Sequence, residues 1–230
     1  MTSGRSADRP GGGGPTLSLP GRFRAAVFDL DGLLIDTEPG WQRAEAELLR
    51  RRGLAYSEAD AAASLGSPVG QMVDLYAARL GLDAAGRDRL LEELLGLVRT
   101  MYESELDVRP GATELLDALQ GRLPLAVASN TPRALVEQAL VSSGLGDAFD
   151  AVVTADEVAH PKPAPDIYLA ACARLAVEPS QAVALEDSAL GIASAAAAGL
   201  TVVAVPQWPS VDTSGAQFVL SSLTEIAVGQ

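Results

Sequence analysis

Five short apolar runs, with helical patterns between most of them, constrain this chain more than any other feature. The runs are Ala25–Leu30, Pro124–Ala128, Ala151–Thr154, Ala182–Leu185 and Val202–Val205. None shows the strict alternation of a strand with one wet face, so each reads as a strand buried on both sides. The segments Thr113–Leu119, Pro132–Ser142, Pro165–Leu175 and Ser188–Ala198 carry helical spacing, with stop signals such as Gly144 and Gly199. This alternation predicts an α/β fold, a doubly wound parallel sheet flanked by helices. A chain of 230 residues, 48% of them hydrophobic, is long enough to bury such a core.

One interval breaks the rhythm. From Glu38 to Asp107 the patterns are all helical: Trp41–Arg51, Glu58–Leu65, Gln71–Leu80 and Gly86–Tyr102. Spacing such as Met72, Leu75, Tyr76 and Leu80 fits one buried helix face. An all-helical insert over 38–107 is therefore expected within a core built from 22–37 and 108–230, with Pro132 at the first position of a core helix. The insert follows the tip of the first strand directly, as a cover over that tip would. Residues 1–21 are rich in Gly, Pro, Ser and Arg and lack the apolar stretch of a secretion signal. They read as a disordered tail.

Charge narrows the partners. Seventeen basic residues against thirty acidic ones leave a formal net charge of −13. Such a surface repels nucleic acid and anionic membranes, and no apolar segment is long enough to span a bilayer. An anionic substrate would need local compensation. The single cysteine, Cys172, sits in a helical pattern and reads as core, which leaves no disulfide framework and fits a cytoplasmic setting. A monomer or weak homodimer is expected.

Polar groups collect where the strands end. Asp29 and Asp31 follow the first strand, and Gly32 lets the chain turn sharply behind them. Two carboxylates at one strand tip repel each other unless a divalent cation or a shared proton offsets the repulsion. Strand tips are also where open α/β sheets bind ligands. After the second run come Ser129, Asn130 and Thr131, whose side chains and helix-start N–H groups could hold a phosphate oxygen or simply cap the helix. Lys162 lies between Pro161 and Pro163, a rigid setting for an ammonium that could neutralise a phosphoryl group. Glu186 and Asp187 end a further strand, where they could form the second half of a metal site or, with Ser188, cap the next helix.

Asp29-x-Asp31-Gly32, Ser129-Asn130, Lys162-Pro163 and Glu186-Asp187, in that order and spacing, resemble the four motifs of the haloacid dehalogenase superfamily. The likeness is to its phosphatase and β-phosphoglucomutase-like branch and covers the chain from about Arg24 onward. It implies a Rossmann-like core with an inserted all-helical cap domain, and a Mg²⁺-dependent phosphatase acting through an aspartyl-phosphate. In that scheme Asp29 is the nucleophile and Asp31 the general acid and base. Ser129, Asn130 and Lys162 bind the phosphoryl group. The Asp29 and Asp187 carboxylates and the Asp31 carbonyl hold Mg²⁺, with Glu186 nearby. The resemblance also makes Lys162–Pro163 a candidate cis bond. Asp36-Thr37-Glu38-Pro39-x-Trp41, Leu65-Gly66 and the stretch Leu220–Glu225 are similar to bacterial 2-deoxyglucose-6-phosphate and hexitol-phosphate phosphatases. The expected substrate is a small phosphorylated metabolite of sugar type, with Trp41, Arg43 and Gln71 as candidate contacts. The alternative is a β-phosphoglucomutase-like mutase. Its early cap histidine is missing here: the only histidine is His160, and Trp41 stands about where the mutase histidine would be.

Overall fold

The computed structural model describes residues 17–64, 66–103 and 106–229. Most of the expected tail, residues 1–16, lies outside these, as does Leu65. The last part of that tail is not disordered: Ser18–Leu19 forms strand β1, with Leu17 and Leu19 buried. Its partner is β8 (Ala227–Val228), parallel to it in a two-stranded sheet.

The main sheet has six parallel strands: β2 (Ala25–Phe28), β3 (Leu125–Ser129), β4 (Ala151–Thr154), β5 (Ala182–Glu186), β6 (Thr201–Ala204) and β7 (Phe218–Val219). Their order is β4-β3-β2-β5-β6-β7. The chain builds outward from β2 through β3 to β4, then crosses back to β5 on the other side of β2. The tip of β2 is therefore the point where the winding reverses, which is where open parallel sheets leave a crevice for ligands.

The sheet is buried on both faces, as its unalternating sequence requires. Ala26 and Phe28 of β2, with Val127, Leu185 and Val203, pack into one apolar layer together with α5 (Ala112–Leu119) and α6 (Arg133–Ser142). Ala25 and Val27, with Ala126, Ala128, Ala184, Val202 and Ala204, form the other layer with α7 (Asp166–Arg174) and α8 (Ala189–Ala198). That second face is mostly alanine, which lets the helices approach closely. Cys172 is part of it, and burial pushes its thiol up to about 11. Pro132 sits one position earlier than expected, as the cap residue before α6, because its extended ψ of 145° keeps it out of the first turn.

Between β2 and α5 run four helices: α1 (Glu38–Arg50), α2 (Glu58–Ser64), α3 (Val69–Leu80) and α4 (Ala84–Met101). Pro39 is in the first turn of α1, where a missing N–H is harmless, so the helix begins three residues before Trp41. α4 packs on both α1 and α3, with Leu90, Leu94 and Val98 spaced to face them. The buried face of α3 is Met72, Val73, Tyr76 and Ala77, so Leu75 is exposed rather than interior. Leaving and re-entering segments touch: Ile35 pairs antiparallel with Val108, and the Asp36 N–H donates to the Asp107 carbonyl at 2.8 Å. No described helix is long and apolar enough to cross a membrane.

Candidate active site

Register brings the strand-end residues to one level. Phe28 is opposite Val127 on one side and Leu185 on the other, so Asp29 follows β2 beside the ends of β3 and β5. The Asp29 N–H still bonds the Leu185 carbonyl at 3.0 Å, which fixes its backbone to the sheet. Asp29, Lys162, Glu186 and Asp187 are all buried. Lys162 Nζ lies 2.5 Å from Asp29 Oδ1 and 2.6 Å from Glu186 Oε1. Asn130 holds the lysine loop: its Oδ1 accepts from the Lys162 N–H at 2.9 Å, and its Nδ2 donates to the Lys162 carbonyl at 3.3 Å and to the Gly66 carbonyl of the insert at 3.2 Å. The Lys162–Pro163 bond is cis, as is Leu19–Pro20.

Asp31 is surrounded by hydroxyls. Its Oδ2 accepts from Ser129 Oγ at 2.8 Å and Thr131 Oγ1 at 2.9 Å, and its Oδ1 from Thr37 Oγ1 at 2.7 Å, with the Tyr102 hydroxyl at 3.5 Å. The Ser129 side chain is thus turned to Asp31, while Asn130, Thr131 and Lys162 border the cleft.

Glu186 is satisfied by protein on both oxygens. Oε1 accepts from Lys162 and from the Tyr168 hydroxyl at 2.6 Å, and Oε2 from the Asp187 N–H at 3.1 Å. Ser188 supplies the cap of α8, its hydroxyl accepting from the Gly191 N–H at 3.1 Å. Asp187 is thereby released from capping, and its Oδ1 is buried without a partner. Gly32, at φ +86°, passes so close that a Cβ there would lie 2.2 Å from Asp187 Oδ2.

The electrostatics are unbalanced toward acid. Ligand oxygens of Asp29, Glu186 and Asp187 lie within 4.8 Å of one another around a single ammonium. Burial pushes Asp29 up to about 8 despite the opposing charge of Lys162, with Glu186 and Asp31 adding to the rise. Burial, then the charges of Asp29 and Glu186, holds Asp187 well above the usual carboxylate range. Burial alone would depress Lys162, but the two carboxylates keep its ammonium above the ordinary value. Surplus buried negative charge and an orphaned carboxylate oxygen are what a hard divalent cation would offset, and an all-oxygen donor set suits one.

Asp29, Asp31, Asn130, Lys162 and Asp187 open on a cleft of about 740 Å³ that the helical insert roofs. Thr37, Glu38, Trp41 and Glu45 of the insert border it, as do Gly66, Val69 and Met72. Arg43 and Gln71 are exposed and do not reach it. Two positions beyond Trp41, at about 100° per residue, Arg43 points to the opposite side of α1, and Gln71 precedes the inward-facing Met72. Sequence reasoning missed Tyr168, Tyr102 and Gln207. The tyrosines lie in helical patterns where an aromatic reads as core. Gln207, whose Nε2 donates to the Gly32 carbonyl at 2.7 Å, follows the last long strand with no motif around it.

A family model for haloacid dehalogenase-like hydrolases matches residues 23–199. Hexitol phosphatase B of Escherichia coli K12 is 34% identical over 216 residues, 91% of this chain and 97% of the relative. Fructose-1-phosphate phosphatase YqaB of the same organism is 37% identical over 186 residues, 80% of this chain and 97% of the relative. Among solved structures, CbbY from Rhodobacter sphaeroides in complex with xylulose-(1,5)bisphosphate superposes with a TM-score of 0.82 at 27% identity, covering 90% of this chain and 97% of that one.

Proposed function

Because the chain belongs to the haloacid dehalogenase-like hydrolases and is a phosphatase of that family, we propose that it hydrolyses small sugar phosphates through a phosphorylated Asp29. In this reading residues 38–107 are the cap and residues 22–37 and 108–230 the core. One observation carries it: Asp29 stands at the winding reversal, in the cleft, between a clamped ammonium and an unpartnered carboxylate oxygen.

The chemistry follows from those groups. An Asp29 carboxylate oxygen attacks phosphorus, and the bond to the leaving alcohol breaks as Asp31 gives that oxygen a proton. Water then attacks the aspartyl-phosphate while Asp31 takes the water's proton, which frees phosphate and restores both carboxyl groups. The four hydroxyls around Asp31 aim its carboxyl and stop it from swinging onto the metal side. Lys162, Asn130 and Thr131 are placed to hold phosphoryl oxygens, and Ser129 acts through Asp31 and Thr131. Glu186, with both oxygens engaged, serves as the anchor of Lys162. Asp29, Asp187 and the Asp31 carbonyl, with Glu186 adjoining, would hold Mg²⁺, which when bound supplies positive charge against the phosphoryl oxygens. The cap sheds water and excludes bulky polymers.

The names of the relatives support a hexose- or hexitol-sized substrate. The test is a panel of phosphorylated metabolites with Mg²⁺ and with a chelator, followed by released phosphate. Metal-dependent release from hexose and hexitol phosphates is expected. Conversion of β-glucose 1-phosphate to glucose 6-phosphate, with a bisphosphate primer and little free phosphate, would overturn the hydrolase reading in favour of a mutase.

A further inference from the structure

Glu45 is a buried acid on the ceiling of the cleft that the phosphoryl chemistry leaves unused. Only 1% of it is exposed. Glu38, Trp41 and Glu45 border the cleft along α1 at i, i+3 and i+7, one helical face. At about 1.5 Å per residue, Glu45 stands roughly 10 Å along the helix from Glu38. That is the end of the cleft away from the strand tips.

Its two oxygens differ. Oε2 accepts from the Tyr76 hydroxyl at 2.6 Å and lies 2.7 Å from Ser64 Oγ. Oε1 is buried with no hydrogen-bond partner, and so is the neighbouring Tyr56 hydroxyl. Burial and then the charge of Glu45 push the Tyr56 phenol up, so the two groups lie close to each other. Orphaned buried polar atoms are costly, by enough that folded proteins rarely keep them. An incoming hydroxyl that donates to Oε1 and accepts from the phenol would satisfy both. The support beneath is rigid: Tyr76 is fully buried, and Arg79 ties α3 to Asp60 of α2. Lys162 is the only basic residue among the described residues bordering the cleft, so this distal end has nothing to receive a second phosphoryl group.

We propose that Glu45, with Tyr56 behind it, reads a hydroxyl of the substrate's leaving group and so selects uncharged polyol monophosphate esters over esters without hydroxyls. This rests on the hydrolase reading above. A site built to bond a hydroxyl discriminates strongly against analogues that lack it, because its own polar groups are then left unpaired.

The experiment compares kcat/KM for a hexitol or hexose 6-phosphate with that for p-nitrophenyl phosphate, in wild type, Glu45→Gln and Tyr56→Phe. Glu45→Gln keeps an acceptor for Tyr76, so it preserves the fold, and its melting temperature is measured alongside. For the sugar ester we expect kcat/KM to fall about tenfold or more in Glu45→Gln, mostly through KM, and by a smaller factor in Tyr56→Phe. Turnover of p-nitrophenyl phosphate should stay within about twofold, since that ester has no hydroxyl to lose. An equal fall on both esters, the result if an enclosed water satisfies Glu45, would overturn the proposal, as would an unchanged sugar-ester value. Either outcome leaves the hydrolase reading standing. A wild-type protein inert toward every phosphomonoester with metal would sink that reading instead.

Discussion

Gly191→Ala is a one-methyl change at a residue that does not line the cleft, yet the structure makes it severe. A Cβ at Gly191 would lie 1.7 Å from Glu186 Oε1, 2.0 Å from its Cδ and 2.2 Å from its Oε2, where real Cβ atoms stay beyond 3.0 Å. Helical backbone cannot retreat that far, so the Glu186 carboxylate must move. Moving it breaks the 2.6 Å contacts to both Lys162 and Tyr168. Separating a buried ion pair costs about 3–5 kcal/mol. Alanine's better helix propensity returns up to about 1 kcal/mol, leaving a net loss near 2–4 kcal/mol. For a chain of this size that lowers the melting temperature by roughly 4–16 °C. Gly96→Ala in α4 is the control: nothing lies within 4 Å of its added Cβ, so stability should hold or rise by a few degrees. The assay is thermal unfolding of both variants, with vanadate affinity as a readout of Lys162. Gly191→Ala matching wild type in melting temperature and vanadate affinity would refute the picture of Glu186 as the lysine's anchor.

Asp29→Asn removes the attacking charge while keeping shape, so turnover should drop at least about a thousandfold with the circular dichroism spectrum unchanged; near-normal rates would dismiss Asp29 as nucleophile. Asp31→Asn should lose about a hundredfold on alkyl phosphates but much less on p-nitrophenyl phosphate, whose leaving group needs no proton, and equal losses would argue against the acid role. The raised folded pKa of Asp29, about 8 against an ordinary 3.8, means its stabilising contribution is complete below pH 4 and is lost as pH rises toward 8. With metal stripped, the melting temperature should therefore fall between pH 5 and pH 8, and added Mg²⁺ should raise it most at pH 8. A metal-free melting temperature that climbs over that window would contradict this. Asp187→Ala should abolish most of the Mg²⁺ stabilisation at pH 8, as seen by calorimetry, and a full metal response in that variant would remove Asp187 from the ligand set.

The core strands were legible because burial on both faces leaves continuous apolar runs, and every such run became a strand of the main sheet. β1, β7 and β8 were not, since two residues carry no periodicity, and Leu17 and Leu19 hide among glycines and prolines. The strand-tip acids announced themselves because charge is conspicuous directly after an apolar run. Glu45 was silent for the opposite reason. A glutamate inside a helical stretch reads as solvated surface, and only the tertiary packing of Tyr76 and Ser64 against it shows otherwise. Arg43 and Gln71 failed as contacts because proximity in sequence says little about helix phase until the first turn is located, and Pro39 moved that turn earlier. Leu75 failed likewise, by one position on α3.

The insert joins the core through two strands of backbone that lie side by side. Ile35 bridges Val108, the Asp36 N–H bonds the Asp107 carbonyl, and the Arg109 N–H bonds the Leu34 carbonyl at 2.8 Å. A body tethered at two adjacent, mutually bonded points keeps one soft mechanical coordinate, a swing about the line through them; sliding and twisting would tear the bridge. Along that swing the α1 face bearing Trp41 and Glu45 departs from the strand tips as a unit, while Asp29, Lys162, Glu186 and Asp187 stay assembled on the sheet. The swing works against the Asn130–Gly66 bond and against those of Gln138 to the Arg99 carbonyl, Ser142 to the Tyr102 carbonyl and the Tyr102 hydroxyl to Asp31, each worth about 1 kcal/mol. An opening of this kind would admit or expel small molecules while leaving Asp29, Lys162, Glu186 and Asp187 in place, so their electrostatic arrangement would be made once, at folding, and not anew with each turnover.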